Sequence, residues 1–343
     1  MDRPAFIQWY PTFRCNQECV FCSNRRLPRL RRQRTMPEED AFALVDVLLR
    51  NTVMELDILG GEPLLVPYLE DLITHAAQGG ISIYVSTNGS LPDVVTRLAR
   101  TQHRSLTIGF SLHGSERTHN ALTRSANFAN AIESIKKVIG EGVPPVVKSV
   151  LTRANAGEIR TLIRYLSEIG VRQYFILHED IMRKADLPGS LPFPDFTKHY
   201  SALRSEFEGR VDIRFVAASG FFRGRARQGR RCDAGTTKLA VLPDGSCFPC
   251  SLLIGCSEFL LGNIVRDSFG SLRDHPVLSP FKRSSPNPCG FTPCGHYETC
   301  TGGCPAQSYL LCGDINVADP RCARKDREKN RSRDKRTRKK FLC

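Results

Sequence analysis

Short apolar runs alternate with longer amphipathic stretches along the first half of the chain. The apolar runs predict strands and the amphipathic stretches predict helices, because their periods match the two geometries. Predicted strands lie at 5–10, 55–59, 81–85, 106–110, 146–151 and 173–177, and predicted helices at 41–49, 69–77, 94–98, 129–138 and 159–166. Strand–helix alternation of this kind predicts an α/β fold with a parallel sheet. Six such units are fewer than the eight that close a barrel.

The first helix carries a sequence signal for its start. Thr35 and Glu38 have the three-residue spacing of a capping box, in which each side chain bonds the backbone at the other residue. We therefore expect Thr35 to be the N-cap of the helix through 41–49.

The pattern changes after residue 178 and defines the predicted domains. A turn-rich stretch at 187–194 and a basic, glycine-containing stretch at 221–227 indicate a linker over 181–231, with one short helix near 196–207. The region before it, 1–180, is predicted to hold the strand–helix units. The region after it, 232–322, is rich in cysteine and begins with a predicted hairpin whose turn is 242–245.

The composition and the N-terminal sequence indicate the cellular compartment of the protein. The chain has 343 residues, 41% of them hydrophobic, and no apolar run near the ~18 residues of a membrane helix. Its N-terminus lacks the basic, apolar and small-residue progression of a secretory signal, so we expect a cytoplasmic protein. In that compartment the fourteen cysteines are expected to be metal ligands rather than disulfides.

The net charge of +14 is unevenly distributed. Residues 321–343 hold twelve Lys or Arg against three acids, a net of +9 that leaves +5 for the rest. We interpret 323–343 as a disordered basic tail, either solvated or binding RNA, a membrane surface or an acidic partner. A second basic run, 25–34, lies close to the first cysteines and either attracts an acidic substrate or forms a solvated surface.

The first cysteines have the spacing CxxxCxxC at Cys15, Cys19 and Cys22, directly after the first predicted strand. Three thiolates on a short loop can hold three corners of a [4Fe–4S] cube. The fourth iron would then be open to a small molecule, which favours a catalytic cluster. A zinc site lacking one ligand and buried free thiols are the alternatives.

This motif, with Phe21 before its last cysteine, closely resembles that of the radical S-adenosylmethionine (radical SAM) enzymes. Gly60-Gly61-Glu62-Pro63 after the second strand resembles the GGEP motif that binds the amino group of SAM in that family. The resemblance implies a [4Fe–4S] cluster on the three cysteines with SAM at its open iron. The SAM-binding residues that it implies are Gly60, Gly61, Glu62, Pro63, Thr87, Asn88, Ser111 and Arg124. For Arg124, an ordinary surface arginine is the alternative.

The family resemblance also implies a fold and an activity. The fold is α/β, a partial (β/α)6 TIM-like barrel followed by a small cysteine-rich SPASM domain. The activity is reductive cleavage of SAM to a 5′-deoxyadenosyl radical, with electrons from a flavodoxin- or ferredoxin-type donor. Many relatives have Asp where this chain has His113. We expect His113, His178 and Tyr174 to be packing or loop residues, and no catalytic acid or base is evident.

The later cysteines resemble the seven-cysteine series of SPASM domains, which hold one or two auxiliary [4Fe–4S] clusters. By that resemblance one cluster is bound by Cys289, Cys294, Cys300 and Cys322, and three corners of the other by Cys232, Cys250 and Cys304. The missing ligand is Cys247 or Cys256, or that iron is open to substrate. Four residues rather than the usual two separate Cys289 from Cys294. Cys312 and Cys343 have no assignment, and a zinc ribbon would leave more cysteines unexplained.

SPASM-bearing relatives commonly modify peptides or proteins, so we expect a maturase that abstracts hydrogen from a ribosomal peptide to cross-link, epimerise or oxidise it. A sulfatase maturase would have Asp where Ser251 follows Cys250. No peptide-binding domain of ~80 residues precedes Cys15, so leader recognition is expected from a separate partner or the SPASM region. A small-molecule oxidoreductase and a non-catalytic iron–sulfur electron carrier or RNA-binding scaffold are the alternatives.

Overall fold

The computed structural model of the chain describes residues 6–26, 35–101, 103–216, 231–282, 289 and 301–322. Several predictions lie outside these residues. They concern most of the basic run 25–34, the basic tail 323–343 and the three cysteines Cys294, Cys300 and Cys343.

Six parallel strands form the centre of the sheet, as predicted. They are β1 (Phe6–Trp9), β2 (Glu55–Ile58), β3 (Ser82–Thr87), β4 (Leu106–Ser111), β5 (Val146–Leu151) and β6 (Gln173–His178). Each is paired in parallel with the next. The helices between them are α1 (Glu38–Arg50), α2 (Leu69–Gln78), α3 (Pro92–Arg100), α4 (Glu116–Thr123), α5 (Phe128–Gly140) and α6 (Ile159–Glu168). The α/β fold with a TIM-like open sheet is therefore confirmed.

The start of α1 differs from the prediction. Pro37 is the N-cap, and no side chain caps the helix. The hydroxyl of Thr35 instead donates to the hydroxyl of Thr12 at 3.0 Å, so the predicted capping box is wrong. The helix forms because Leu44 and Leu48, one turn apart, bury completely against the sheet, and because its first turn is acidic.

The sheet extends beyond the six predicted strands. After α7 (Phe193–Glu206), strand β7 (Asp212–Val216) pairs in parallel with β6. Both elements fall within the predicted linker 181–231, where the helix near 196–207 was expected and the strand was not. Strand β7 forms because it alternates polar and apolar residues, and its Ile213 is buried in register with Tyr174.

The cysteine-rich region joins the other edge of the same sheet. Strand β8 (Lys238–Val241) pairs in parallel with β1, and β9 (Ser246–Phe248) pairs antiparallel with β8 across the predicted turn. The turn closes through a bond from the Gly245 amide to the Leu242 carbonyl, with Gly245 at a φ of +82°. Strand β10 (Gly262–Asn263) completes the order β10-β9-β8-β1-β2-β3-β4-β5-β6-β7.

Short helices complete the described C-terminal region. They are α8 (Phe269–Arg273), α9 (Ser279–Lys282) and α10 (Pro305–Cys312). None of the helices in the described ranges combines the length and apolar character that crossing a bilayer requires.

Candidate active site

A cavity of about 490 Å³ lies where the central parallel strands end. This is the edge at which β/α folds place their ligand sites. The cavity wall includes residues from the predicted cluster motif and from the predicted SAM-binding turns: Cys15, Cys19, Cys22, Gly60, Gly61, Thr87, Asn88 and Ser111. Residues that are up to 96 positions apart in the sequence therefore meet at one site.

The cysteine loop is held by the end of α4, a helix that the sequence analysis did not predict. The amides of Glu18 and Val20 donate to the carbonyls of Thr123 and Leu122 at 3.0 and 2.9 Å. These carbonyls lie in the last turn of α4, where they lack intrahelical partners. Helix α4 thereby fixes the backbone on either side of Cys19.

The two glycines of the second motif pack against this same loop. The amide of Gly61 donates to the carbonyl of Thr12, and the amide of Glu62 to the carbonyl of Arg14, both at 2.8 Å. A Cβ atom on Gly61 would lie 2.0 Å from the Arg14 carbonyl oxygen, and Gly60 has a φ of +130°. Glycine is required at both positions because the backbones of the two motifs are in direct contact.

Glu62 lies beneath the cavity rather than on its wall. Its buried carboxylate accepts hydrogen bonds from the Thr87 hydroxyl and the Asn88 amide, each at 2.7 Å, and from the Leu64 amide at 3.2 Å. Burial raises the pKa of Glu62 to about 7, although these hydrogen bonds and nearby Lys148 lower it. The structure thus shows Glu62 holding the turn after β3, near Cys15 and Lys148 of the cavity wall, and its ammonium contact stays a prediction.

Two other predicted SAM-binding residues also lie away from the cavity wall. Pro63 is buried at the start of a single 3₁₀ turn that follows Glu62. Arg124 is exposed as the C-cap of α4, in the left-handed conformation. Of the eight predicted residues, five line the cavity and three do not.

His113 packs against the cluster motif. Its ring contacts Phe21 edge to face at 4.7 Å, and its Nδ1 accepts a hydrogen bond from the Val150 amide at 3.3 Å. Burial lowers the pKa of His113 to about 3, so the ring is neutral at pH 7. His178 is likewise fixed, because it donates from Nε2 to the Leu191 carbonyl at 2.9 Å. Both histidines are held by these contacts, and both also line the cavity.

The cavity wall also contains a lysine that the sequence analysis did not single out. The Nζ of Lys148, on β5, donates to the Ser86 hydroxyl at 2.5 Å and lies 4.9 Å from the centre of the Tyr84 ring. Burial lowers the pKa of Lys148 to about 8, while Asp57 and Glu62 act to raise it. A single lysine within the apolar run of β5 was the available sequence signal.

Three of the later cysteines, Cys232, Cys250 and Cys304, lie near one another. The thiol of Cys250 is close to the thiols of Cys232 and Cys304, and burial together with these neighbours raises its pKa to about 12. These are the three residues that the SPASM resemblance groups at one cluster. Cys289 lies near Arg231, and the amide of Cys322 donates to the Asp319 carbonyl at 3.1 Å.

The two candidates for a fourth ligand have different surroundings. The thiol of Cys247 is fully buried in the β8–β9 hairpin, 3.7 Å from the Gly245 carbonyl, and its pKa is raised by burial and by Asp267 and Asp244. The pKa of Cys256 is raised to about 11 by burial and by Glu258. Cys312 is disulfide-bonded, so the expectation that the cysteines do not form disulfides is wrong there. Sequence spacing does not reveal such spatial pairing.

The cysteine loop suits a cluster better than a single ion. Among the described residues, no three His, Cys, Asp or Glu side chains are close enough to bind one metal ion, which disfavours the zinc alternative at the loop. A [4Fe–4S] cube binds its thiolates farther apart, one at each iron. Burial raises the pKa of Cys15 to about 11, so binding there would require the charge of the iron to stabilise the thiolate.

Comparison with known proteins identifies the barrel. Residues 9–176, from β1 to β6, match the Radical SAM superfamily. The chain therefore contains a radical SAM domain over these residues. Members of this superfamily bind a [4Fe–4S] cluster and SAM, and SPASM-type members carry auxiliary clusters.

Several relatives resemble this radical SAM protein over almost its whole length. It is 27% identical to mycofactocin maturase MftC of Mycobacterium tuberculosis, over 94% of this chain and 83% of that protein. It is also 27% identical to the PqqA peptide cyclase of Methylocella silvestris, over 91% and 85%. The structure of Streptococcus suis SuiB bound to the precursor peptide SuiA has a TM-score of 0.77 at 16% identity, over 94% and 76%, and supports the fold.

Proposed function

We propose that this radical SAM protein is a maturase that modifies a ribosomally made peptide. The proposal that the protein is an enzyme rests on one observation: three thiols line the same cavity as Gly60 and Gly61. The proposal that its substrate is a peptide is supported by the relatives, which include a mycofactocin maturase and a PqqA peptide cyclase. Together they favour hydrogen abstraction from a peptide, leading to a cross-link, an epimerisation or an oxidation.

We assign the cofactor site to the cavity wall. Cys15, Cys19 and Cys22 would hold the cluster, and Gly60, Gly61, Thr87, Asn88 and Ser111 would contact SAM. When bound, the cluster and SAM supply the radical that abstracts hydrogen. The protein orients these groups: α4 fixes the cysteine loop, and Glu62 fixes Thr87 and Asn88.

The remaining assignments follow the resemblance. We divide the chain into a SAM-binding unit over 1–180 and an auxiliary-cluster unit over 232–322. The proximity of Cys232, Cys250 and Cys304 supports a common cluster for these three. Cys289 and Cys322 belong to the proposed second cluster, together with Cys294 and Cys300. A flavodoxin- or ferredoxin-type protein would supply electrons in the cytoplasm, and a separate partner or the SPASM region would bind the peptide leader.

The surroundings of Ser251 argue against a sulfatase maturase. This residue occupies the position at which those enzymes have an aspartate, directly after Cys250. Its side chain is close enough to the Tyr10 hydroxyl to act to lower the pKa of that group. A hydroxyl in this setting is a poor proton acceptor compared with a carboxylate.

The first experiment measures 5′-deoxyadenosine release by the anaerobically reconstituted protein. Host extract is divided by size into a peptide and protein fraction and a small-metabolite fraction. We expect release to rise above the uncoupled background only with the peptide fraction, accompanied by a mass change in one peptide. Stimulation by small metabolites alone would instead indicate a small-molecule oxidoreductase.

Cysteine variants distinguish the proposed enzyme from the alternative of a non-catalytic electron carrier. Alanine at Cys15, Cys19 or Cys22 should abolish SAM cleavage, because each removes one of the three cluster ligands. Cys256→Ala is the control and should retain uncoupled SAM cleavage, since its thiol lies beside Glu258 and does not line the cavity. Wild-type protein that contains its clusters but releases no 5′-deoxyadenosine would support the carrier.

A further inference from the structure

The cavity has one acidic side chain on the part of its wall that the structure describes. This is Asp180, two residues beyond the end of β6. The Glu62 carboxylate is nearby but is occupied by three hydrogen bonds beneath the wall. Asp180 is therefore the carboxylate best placed to meet a molecule bound in the cavity.

Three other titratable groups on the wall, Lys148, His113 and His178, are hydrogen-bonded within the fold. Lys148 donates to Ser86, and His178 donates to the Leu191 carbonyl. His113 accepts from the Val150 amide, and burial lowers its pKa to about 3, which makes it a weak base. Asp180, by contrast, has no hydrogen bond or ion pair to any residue within the described ranges.

Three elements bring titratable or charged groups near the Asp180 carboxylate. Arg321 and Lys238 lower its pKa, but burial raises it by more, so the pKa lies above the ordinary value. Arg321 is bound to Asp319 at 2.7 Å and so is partly neutralised. The charge of Asp180 in turn acts to raise the pKa of the Tyr10 hydroxyl. A half-buried carboxylate with a raised pKa is a stronger proton acceptor than an exposed one.

We infer that Asp180 is a catalytic residue that accepts a proton from an O–H, N–H or S–H group of the bound peptide. This inference rests on the proposed function. The proton leaves the substrate heteroatom and forms an O–H bond at the Asp180 carboxylate, while the electron pair of the broken bond stays on the heteroatom. Hydrogen-atom abstraction from carbon is a separate step that does not involve Asp180.

The first test uses the peptide identified in the extract experiment and compares two products of the same reaction. In Asp180→Asn, release of 5′-deoxyadenosine should stay within about threefold of wild type, because hydrogen abstraction does not need the carboxylate. Formation of modified peptide should fall by about 100-fold or more, the usual contribution of a general base. Asp180→Glu should recover part of the product and shift the pH profile.

The matched control is Glu179→Gln, which removes the adjacent carboxylate, one that does not line the cavity. This variant should form the same amounts of 5′-deoxyadenosine and modified peptide as the wild type. If Asp180→Asn instead raises KM for the peptide and leaves its turnover at saturation unchanged, the carboxylate binds a substrate cation and the proton-acceptor role is wrong. Equal loss of both products would also contradict it.

The second test needs no substrate, so it distinguishes failure of this inference from failure of the proposed function. Infrared spectra of the reconstituted wild type and Asp180→Asn are compared from pH 7 to pH 4. We expect the wild type to show one additional protonated carboxyl band that appears above the usual aspartate pKa of about 3.9. Identical spectra at pH 5 would overturn the inference, whatever the peptide experiment shows.

Discussion

The carboxylate of Glu62 and the hydroxyl of Thr87 are joined by a buried 2.7 Å hydrogen bond. This bond links the turn after β2 to the end of β3. The same carboxylate accepts the amide of Asn88, so one side chain beneath the cavity sets the position of two residues on its wall. Glu62 therefore acts on the proposed SAM site through its neighbours.

Replacing Glu62 tests this role. Glu62→Gln keeps the size of the side chain but replaces one acceptor oxygen with an amide donor. We expect a loss of about 1–3 kcal/mol in the free energy of unfolding and weaker SAM binding, because Thr87 or Asn88 loses its partner. Urea denaturation and calorimetric SAM titration measure the two effects. Glu55→Gln, on an exposed side chain at the start of β2, should change neither.

The close packing of the two motifs predicts that Gly61 cannot be replaced by a larger residue without loss of stability. Gly61→Ala places a methyl group 2.0 Å from the Arg14 carbonyl oxygen, and the backbone of the cysteine loop must move to accommodate it. We expect a loss of stability of about 2–4 kcal/mol and reduced iron in the reconstituted protein. Gly140→Ala is the control, since its Cβ would meet no atom within 4 Å in helix α5. It should stabilise the protein by about 0.5–1 kcal/mol.

The burial of His113 predicts how the free energy of unfolding depends on pH. Its pKa is lowered to about 3 in the folded protein, whereas an unfolded histidine has a pKa near 6.5. Below pH 6.5 the unfolded chain therefore binds a proton that the folded protein does not, and stability falls as the pH drops towards 3. Each pH unit costs up to about 1.4 kcal/mol.

His113→Gln removes this contribution. The slope of unfolding free energy against pH between 6.5 and 5, measured by chemical denaturation, should be smaller in the variant by up to about 1.4 kcal/mol per pH unit. Between pH 7.5 and 8.5 both proteins should show the same slope, because His113 is neutral in both the folded and unfolded states. Equal slopes at the lower pH would mean that the ring is not buried as described.

The iron content tests the grouping of the later cysteines. Alanine at Cys232, Cys250 or Cys304 should each remove about one cluster, about four irons per chain, and leave uncoupled SAM cleavage intact. Cys247→Ala should retain full iron, because its thiol faces the hairpin rather than the Cys250 group. Iron analysis with electron paramagnetic resonance after reduction distinguishes the clusters. Loss of iron in Cys247→Ala would identify it as the fourth ligand.

The parts of the site that follow from local spacing could be predicted from the sequence. The cysteine loop and the Gly60–Gly61 turn are short motifs, and each lies directly after a strand in the structure. The six central strands could also be predicted, because each is an apolar run bounded by turn residues. The position of Glu62 could not, because the motif does not show that its carboxylate turns beneath the wall to bind Thr87.

Features that depend on burial, or on contacts between residues distant in the sequence, could not be predicted from the sequence. Helix α4 is polar on most of its surface, and its start depends on the Ser115 side chain accepting from the Thr118 amide. Strand β7 lies between turn-rich and basic segments that indicated a linker. Lys148 and Asp180 are single charged residues, and only the fold shows that both line the cavity.

The parallel pairing of β8 with β1 makes the two ends of the chain depend on each other. Strand β1 leads directly into the cysteine loop, and one of its edges is covered only by residues contributed more than 220 positions later. A fragment that ends before β8 would expose that edge, with its row of unsatisfied amides and carbonyls, to other chains. During synthesis, the cysteine loop therefore emerges long before the strand that completes its support.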